Sequence, residues 1–235
     1  MTSLERKNLS RTALVTGGSN GIGYAIAGKM AQEGLRVIAA DIVAPAEEPA
    51  NLIWQQCNVT KGEDVDALYR WMEQNTGEPE IIVLNAGKGV HEQLAEGDPE
   101  KWQDVLDLNI MGVLRCIRAF VPPMLKRGRG DVVIISSVSA DKPYTYGGVY
   151  SATKAAVEMI AETLRLETQP HIRVTVVRAG VTDTNFFDSR EGSAKDLGMG
   201  SLAAHDIAED IWYALTKRKD TVINIITTRP TGQAF

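Results

Sequence analysis

Short apolar runs alternate with longer amphipathic stretches along the chain from Thr12 onward. Near-continuous apolar runs are typical of strands that are buried on both faces, and the stretches between them are long enough for crossover helices. The pattern predicts seven strands, at Ala13–Thr16, Arg36–Asp41, Leu52–Gln56, Ile81–Leu84, Val132–Ile135, Arg173–Val177 and Thr221–Ile226. It predicts five helices, at Ile22–Gln32, Glu63–Gln74, Pro99–Lys126, Gly148–Glu167 and Asp206–Thr216. The third helix is expected to kink near Pro122 and Pro123, because a proline inside a helix removes a backbone hydrogen bond.

This alternation predicts an α/β fold in which a parallel sheet carries helices on both faces. We expect a single doubly wound, Rossmann-type domain over residues 1–235, with a seven-stranded sheet in the order 3-2-1-4-5-6-7. Thr16, Asp41, Asn85, Ser137 and Gly180 all fall at or just after predicted strand ends. Because ligands of such folds bind beyond the carboxyl ends of the strands, the sequence predicts a binding site where these residues meet.

Composition and charge narrow the classes of function. The chain has 235 residues, of which 44% are hydrophobic and 23% charged, and its formal net charge is -5. Nucleic-acid-binding proteins usually carry a basic excess, so no nucleic-acid partner is expected. Cys57 and Cys116 form no disulfide framework, and the histidines are scattered, so we expect no metal site. The N-terminus lacks the apolar core of a secretory signal, and no apolar run approaches the roughly 20 residues that span a bilayer, so we expect a cytoplasmic protein without membrane association.

A glycine-rich turn, Thr16-Gly-Gly-Ser-Asn-Gly-Ile-Gly23, connects the first strand to the first helix. Glycines let the backbone approach a diphosphate closely, and the helix N-terminus supplies free N–H groups. The spacing differs from the G-x-G-x-x-G fingerprint, and the absence of a Lys after the last glycine excludes a Walker-type loop. The alternative, an ordinary strand-to-helix turn, does not require so many glycines.

Asp41 ends the second strand, where an acidic residue can bind the adenosine ribose. A carboxylate accepts hydrogen bonds from both ribose hydroxyls but repels the additional phosphate of NADP. No Arg or Lys stands in the glycine turn, where Asn20 is neutral, to offset that repulsion. The sequence therefore favours NAD over NADP. The alternative interpretation of Asp41 is structural, with its carboxylate capping a loop.

Tyr150 and Lys154 stand four residues apart in a predicted helix, so their side chains share one face. A free tyrosine ionises near pH 10, and a neighbouring cation favours the phenolate. We therefore expect Lys154 to lower the pKa of Tyr150. Tyr and Lys four residues apart also occur by chance on many helices. The alternative is therefore a half-buried Tyr150 ring beside a solvated Lys154 amine.

The order of these motifs resembles that of the short-chain dehydrogenase/reductase family, and the resemblance covers nearly the whole chain. The matching motifs are Thr16-Gly-x-x-x-Gly-x-Gly23, Asn85-Ala86-Gly87, Asn109, Ser137, Tyr150-x-x-x-Lys154, and Gly180 with Thr184. The separation of Ser137 from Tyr150 matches the family pattern and favours Ser137 over Ser136 as the active serine. Asn58, Leu84 and Ala179 depart from that pattern, although the amide oxygen of Asn58 can still accept a hydrogen bond near the adenine.

The resemblance implies a catalytic set of Asn109, Ser137, Tyr150 and Lys154. Tyr150 would be the acid or base for the substrate oxygen, which Ser137 would hold. Lys154 would lower the pKa of Tyr150 and bond the nicotinamide ribose, and Asn109 would anchor a water that links Lys154 to solvent.

The resemblance also implies the contacts of cofactor and substrate. Asn85-Ala86-Gly87 would stabilise the central strand, and Val181 and Thr184 would contact the nicotinamide carboxamide. The implied cofactor-binding residues are Gly17, Ser19, Asn20, Gly21, Ile22, Gly23, Asp41, Asn58, Val59, Asn85, Ala86, Gly87, Tyr150, Lys154, Gly180, Val181 and Thr184. A substrate loop is expected at about 182–204, and the expected pocket residues are Ser137, Ser139, Tyr144, Tyr146, Phe186 and Phe187.

The sequence therefore predicts an oxidoreductase that transfers a hydride between a nicotinamide cofactor, with NAD favoured, and a small or medium alcohol or carbonyl compound. Two alternatives stay open: the same chemistry with NADP, and a catalytically idle dinucleotide-binding sensor or scaffold. The complete proton-transfer set argues against the idle binder. Because members of the family are commonly dimers or tetramers, we expect a homo-oligomer, preferably a tetramer, assembled through the two long helices and the last strand.

Overall fold

The computed structural model describes residues 11–184, 186 and 200–233. The strands are β1 (Thr12–Thr16), β2 (Arg36–Asp41), β3 (Leu52–Gln56), β4 (Ile81–Leu84), β5 (Gly130–Ser137), β6 (Ile172–Ala179) and β7 (Ile225–Thr228). The helices are α1 (Gly21–Gln32), α2 (Gly62–Asn75), α3 (Pro99–Leu106), α4 (Gly112–Arg127), α5 (Gly148–Thr168) and α6 (Ala204–Leu215). Within the described ranges, no helix combines the length and the apolar character needed to cross a bilayer.

The strands form one parallel sheet in the order β3-β2-β1-β4-β5-β6-β7. This confirms the predicted single doubly wound domain and its strand order. The direction of winding reverses between β1 and β4, so the connections that leave these two strands diverge to opposite sides of the sheet. A crevice at the carboxyl edge of the sheet follows from that divergence.

Two apolar layers cover the sheet, because successive side chains of a strand point to opposite faces. On one face α1 and α6 cover the sheet, and Ile26 and Ile207 pack there with Val15 of β1. On the other face α2, α4 and α5 do so, and Phe120 of α4 belongs to the same buried cluster as Leu14 of β1. The strands of the sheet centre are thus buried on both sides, which explains their near-continuous apolar sequence.

The last strand differs from its predicted position. β7 spans Ile225–Thr228 instead of Thr221–Ile226, so the predicted bounds are wrong by several residues. Val176 of β6 pairs with Ile225, whereas the carbonyl oxygen of Thr221 accepts a hydrogen bond from the guanidinium of Arg173 at 3.3 Å. The start of the predicted strand is therefore held by the Arg173 side chain, and only its last two residues, Ile225 and Ile226, belong to β7.

The third predicted helix is divided in two. A π-helical turn at Asp107–Met111 separates α3 from α4, whereas Pro122 and Pro123 lie within α4. The irregularity recorded in this stretch is therefore a widened turn well before the prolines. Such turns are frequent at functional sites, and this one contains Asn109.

Candidate active site

The five residues expected at one edge of the sheet do meet there. Thr16, Asp41 and Ser137 are the last residues of β1, β2 and β5, while Asn85 and Gly180 directly follow β4 and β6. Because the strands are parallel, all five lie at the carboxyl edge, as the sequence predicted.

The glycine turn brings its backbone close to the end of β4. Gly17 has a φ of +63°, in the left-handed region that favours glycine. A Cβ added at Gly23 would clash with the carbonyl oxygen of Gly17 and with the side-chain nitrogen of Asn85. Asn20 caps α1 by accepting a hydrogen bond from the Gly21 N–H at 3.0 Å. The backbone of the glycine turn and of the first turn of α1 is therefore not covered by a side chain at Gly17 or Gly23.

Asn85 and Thr16 lock the end of β4 to this turn. The Asn85 side-chain nitrogen donates to the carbonyl oxygens of Thr16 at 3.0 Å and of Gly17 at 3.1 Å. The backbone N–H groups of Asn85 and Ala86 donate to the Thr16 hydroxyl oxygen at 3.0 and 3.2 Å. Four hydrogen bonds thus fix the two strands between which the crevice opens. Next to them, Gly87 leaves room for Asn109, whose Oδ1 would lie 3.1 Å from a Cβ added at Gly87.

Asp41 and Ser19 form the polar end of the crevice at β2. The Asp41 carboxylate accepts hydrogen bonds from the backbone N–H groups of Ser19 at 3.1 Å and Val43 at 3.4 Å. The hydroxyl oxygen of Ser19 is buried and has no hydrogen-bond partner among the described residues. A buried hydroxyl is normally satisfied, so this group is placed to bond a ligand. A glycine-lined backbone, an unsatisfied hydroxyl and a carboxylate fit the diphosphate and the ribose of a dinucleotide.

Asn58, expected near the adenine, and Val59, another implied cofactor-binding residue, have partners within the protein. The Asn58 amide oxygen accepts hydrogen bonds from the backbone N–H of Thr60 at 3.0 Å and from its hydroxyl at 2.9 Å. Both lone pairs of that oxygen are therefore engaged, contrary to the expectation that it is offered to the adenine. Val59 is buried and packs against Gly112, where an added Cβ would lie 2.9 Å from the Val59 Cγ2.

Ser137 and Tyr150 bring two hydroxyl groups together at the end of β5. The Ser137 oxygen accepts hydrogen bonds from the backbone N–H of Ser139 at 3.2 Å and from its hydroxyl at 3.0 Å. The Ser137 hydroxyl is also hydrogen-bonded to the phenol of Tyr150. Because its oxygen already accepts from Ser139, the proton of Ser137 is directed toward Tyr150.

The pKa of Tyr150 differs in direction from the expectation. Burial raises this pKa, the hydrogen bond from Ser137 lowers it in part, and the neighbouring Tyr144 raises it further. The Lys154 ammonium lies 5.7 Å from the centre of the Tyr150 ring and donates to the carbonyl oxygen of Ile135 at 2.9 Å. The expected net lowering is therefore wrong for this arrangement, because burial removes the phenol from water and is the largest cause of the shift in its pKa. Burial also lowers the pKa of Lys154 to about 8.

Asn109 connects three parts of the site. Its side-chain nitrogen donates to the carbonyl oxygen of Lys88 at 2.9 Å and to the Thr153 hydroxyl at 3.0 Å, and its oxygen accepts from the Lys88 N–H at 2.9 Å. Thr153 in turn donates to the carbonyl oxygen of Tyr150 at 2.7 Å. Both amide protons of Asn109 thus go to protein groups, and this residue connects the loop after β4 to Thr153 in the N-terminal half of α5.

The expected substrate residues divide into two groups. Phe186 meets Tyr150 edge-on, with 5.8 Å between ring centres, and Tyr144 acts on the pKa of Tyr150. The ring of Tyr146 is 45% exposed and lines an outer, largely polar cavity of about 490 Å³ together with His91, Glu92, Gln93, Glu96, Gly97, Asp98 and Lys101. Phe187 lies outside the described residues, as do most positions of the expected loop 182–204.

The loop after β6 is held by a residue that the motifs did not include. The Gly180 N–H donates to the carbonyl oxygen of Thr228 at 2.7 Å, and the Val181 N–H donates to the side-chain oxygen of Gln233 at 3.0 Å. At the far end of the loop, Thr184 approaches the glycine turn: a Cβ added at Gly21 would lie 3.4 Å from its Cγ2. Gln233 follows β7 in a turn that has no recognisable local spacing, so no pattern in the sequence could have indicated this contact.

The family model of the short chain dehydrogenases matches residues 11–194. The chain belongs to the short-chain dehydrogenase family. An uncharacterized oxidoreductase of Staphylococcus epidermidis is 31% identical to this short-chain dehydrogenase over 230 residues, covering 94% of this chain and 97% of the relative. Both findings agree with the resemblance read from the motifs, and they identify the chain as an oxidoreductase.

Two solved structures of similar fold contain bound cofactors. An alcohol dehydrogenase from the archaeon Thermococcus sibiricus, complexed with 5-hydroxy-NADP, has a TM-score of 0.85 at 26% identity, covering 95% of this chain and 97% of its own. The closed form of a serine dehydrogenase, complexed with NADP+, has a TM-score of 0.87 at 26% identity, covering 95% of this chain and 96% of its own. Both relatives hold NADP or a modified NADP, so the predicted preference of this chain for NAD rests on Asp41.

Proposed function

We propose that this short-chain dehydrogenase transfers a hydride between a nicotinamide cofactor, preferably NAD, and a small or medium alcohol or carbonyl compound. The contact between the hydroxyls of Ser137 and Tyr150 at the carboxyl edge of the sheet carries the proposal. When bound, the nicotinamide cofactor supplies or accepts the hydride, and the chain's own residues position the substrate and move the proton.

Ser137 and Tyr150 divide the handling of the substrate oxygen between them. Ser137 has its hydroxyl oriented by Ser139, so it is suited to donate to an oxygen on which negative charge develops. Because its pKa is raised, Tyr150 keeps its proton at neutral pH and can give it to the oxygen of a carbonyl substrate. In the direction of oxidation, Tyr150 would first have to release its own proton to solvent, and the phenolate oxygen would then accept the proton of the alcohol.

Lys154 and the residues around the crevice support this transfer. With a pKa of about 8, Lys154 is a cation at pH 7, and a cation near the ring favours the phenolate that Tyr150 becomes after donating its proton. The glycine turn and the Ser19 hydroxyl are suited to the diphosphate, and Asp41 to the ribose. The segment at about 182–204 remains the proposed substrate loop.

Replacement of Tyr150 by Phe tests the proposed chemistry. The variant Tyr150→Phe removes one hydroxyl and should lower turnover of alcohols or ketones by a factor of about 10² to 10⁴, the usual contribution of general acid–base catalysis. Dinucleotide binding, measured by fluorescence titration, should change little. Tyr213→Phe, on the exposed side of α6, is the matched control and should retain full turnover. Equal turnover in Tyr150→Phe would refute the assigned acid, and absence of turnover in the wild-type protein would favour the idle dinucleotide binder.

The proposed preference for NAD is tested by titrating the protein with NADH and NADPH side by side. Asp41 should repel the additional phosphate, so we expect NADH to bind more tightly by about tenfold or more. Raising the salt concentration should narrow the difference, because added ions screen an exposed charge. A preference for NADPH would contradict the role given to Asp41.

We further propose that this dehydrogenase assembles as a homo-oligomer, preferably a tetramer, in the cytoplasm. A groove of about 500 Å³ between α4 and α5 is lined by apolar side chains that include Leu114, Ile117 and Met159, and Met159 is 69% exposed. A second copy of the chain would cover this surface. A monomer mass in light scattering that does not change with concentration would contradict the assembly.

A further inference from the structure

We infer that Gln233 is a positioning residue that holds the loop Gly180–Thr184 in place for the cofactor. The inference rests on the proposed function, since Val181 and Thr184 of this loop are the proposed nicotinamide contacts. Gln233 lies in the turn that follows β7, far along the chain from every motif of the site, and it is 7% exposed. Few amide side chains are buried so completely without a specific partner.

The partner of Gln233 is the backbone of the loop itself. Its side-chain oxygen accepts a hydrogen bond from the Val181 N–H at 3.0 Å. Because a peptide N–H can only donate, the amide atom that faces it must be the oxygen, so the orientation of the Gln233 amide is fixed.

The turn that carries Gln233 is anchored to the body of the protein. Its own N–H donates to the carbonyl oxygen of Pro230 at 3.0 Å, and Pro230 is buried. Just before the turn, Thr228 of β7 accepts a hydrogen bond from the Gly180 N–H at 2.7 Å and donates through its hydroxyl to Asp210 of α6. Gln233 therefore extends from a support made of β7 and α6 and is not a mobile tail.

Gly180 is shaped to receive this side chain. A Cβ added at Gly180 would lie 2.5 Å from the Gln233 Oε1 and 2.6 Å from the Arg229 Cβ. Real Cβ atoms do not approach other atoms so closely, so any side chain at position 180 would displace the turn. The glycine in the family motif is, in this chain, matched to Gln233 and Arg229.

Val181 makes hydrogen bonds on both sides, to Gln233 through its N–H and to Leu202 through its carbonyl oxygen. Its carbonyl oxygen accepts a hydrogen bond from the Leu202 N–H at 2.8 Å, and the Asp183 N–H donates to the Leu202 carbonyl oxygen at 2.8 Å. Thr184 follows directly and lies opposite Gly21 of the glycine turn. Loss of the Gln233 contact would free Val181 on one side and change the spacing between Thr184 and the glycine turn.

Three variants separate this role from a general effect on stability. Gln233→Met keeps the length of the side chain but removes the acceptor, Gln233→Glu keeps an oxygen acceptor, and Thr231→Ala changes an exposed residue of the same turn. Hydrogen exchange of the peptide containing Val181 is measured in the protein alone, and the dissociation constant of NADH and the kcat are measured separately. Thermal unfolding verifies that each variant is folded.

We expect Gln233→Met to accelerate exchange at Val181 and to raise the dissociation constant of NADH about threefold to tenfold, the range that corresponds to loss of one hydrogen bond. Gln233→Glu should restore most of the protection, and Thr231→Ala should match the wild type. Unchanged exchange in Gln233→Met, or no recovery in a folded Gln233→Glu, would show that Gln233 does not hold the loop. Accelerated exchange with unaltered NADH binding and kcat would overturn the positioning role. Failure of the wild-type protein to bind either dinucleotide would overturn the proposed function, while exchange would still decide whether Gln233 holds the loop.

Discussion

The two halves of the sheet's carboxyl edge are built from different chemistry. Around β1, β2 and β4, the site consists of glycines, backbone groups and the side chains of Ser19, Asp41, Thr16 and Asn85. Thr16 and Asn85 join β1 to β4 through hydrogen bonds of 3.0 to 3.2 Å. Around β5 and α5, it consists of ionisable side chains. Tyr150 and Lys154 are both buried there, and burial shifts the pKa of each away from its ordinary value.

This difference determines which kind of substitution should affect each half of the site. The glycine half depends on closeness of approach, because a Cβ added at Gly17, Gly18 or Gly23 would lie less than 3.0 Å from a neighbouring atom, whereas its carboxylate Asp41 is partly exposed. The half around β5 and α5, which contains the proposed catalytic residues, buries the amino group of Lys154 away from water, and burial disfavours its charged form. Steric changes should therefore damage the first half, whereas removal of charge should stabilise the second.

The largest effect is expected at Gly23. In Gly23→Ala, the added methyl group would clash with the Gly17 carbonyl oxygen and the Asn85 side chain, which should lower the free energy of unfolding by about 3 kcal/mol. Dinucleotide binding should be lost as well, because the turn would have to move. Urea denaturation and NADH titration measure the two effects.

Gly28→Ala is the matched control for this change. Gly28 lies in the same helix, and a Cβ added there meets no atom within 4 Å. Since Ala is the better helix former, this variant should be more stable than the wild type by about 0.5 to 1 kcal/mol and should bind NADH normally. A similar loss of stability in both variants would show that any methyl group added to this helix is unfavourable, and that the close approach of Gly23 is not the specific cause.

The contrast between the two halves also explains how much of the fold and of the site could be predicted from the sequence. Strand ends and glycines are local features, and they sufficed to predict the sheet order and to place Thr16, Asp41, Asn85, Ser137 and Gly180 on one edge. A parallel sheet buried on both faces leaves a continuous apolar run for each central strand, which is why those bounds were close. The exposed edge strand β7 leaves a weaker pattern, and its predicted bounds were wrong.

The half of the site around β5 and α5 depends on contacts between distant segments, and these contacts cannot be predicted from a local sequence pattern. Spacing placed Tyr150 and Lys154 on one face of α5, but the direction of the Tyr150 pKa depends on how deeply the fold buries the ring. The contact of Lys154 with Ile135 comes from the packing of α5 against β5, and the contact of Gln233 with Val181 joins residues 52 apart in the chain. Such contacts follow from tertiary structure alone.

A smaller effect, of opposite sign, is expected at Lys154. Burial lowers its pKa from 10.5 to about 8, so keeping it protonated at pH 7 costs folding free energy of about 3 kcal/mol by linkage. Lys154→Met removes that cost and loses the hydrogen bond to Ile135, which offsets about 1 kcal/mol. The variant should therefore be more stable than the wild type by about 2 kcal/mol in urea denaturation at pH 7, although its turnover should be severely reduced.

The dependence on pH distinguishes this cause from improved packing. The folded protein holds the proton of Lys154 less tightly than the unfolded chain, so the cost is fully present below pH 8 and declines as the pH rises toward 10.5. The advantage of Lys154→Met should accordingly shrink between pH 8 and 10. Lys29→Met is the control, because the hydrogen bonds that Lys29 donates to Glu209 and Glu33 raise the pKa of Lys29, so loss of this side chain should lower stability. If the gain in stability of Lys154→Met stays constant up to pH 10, improved packing is its source. If the variant is less stable than the wild type at pH 7, the protein groups around the buried ammonium stabilise it sufficiently.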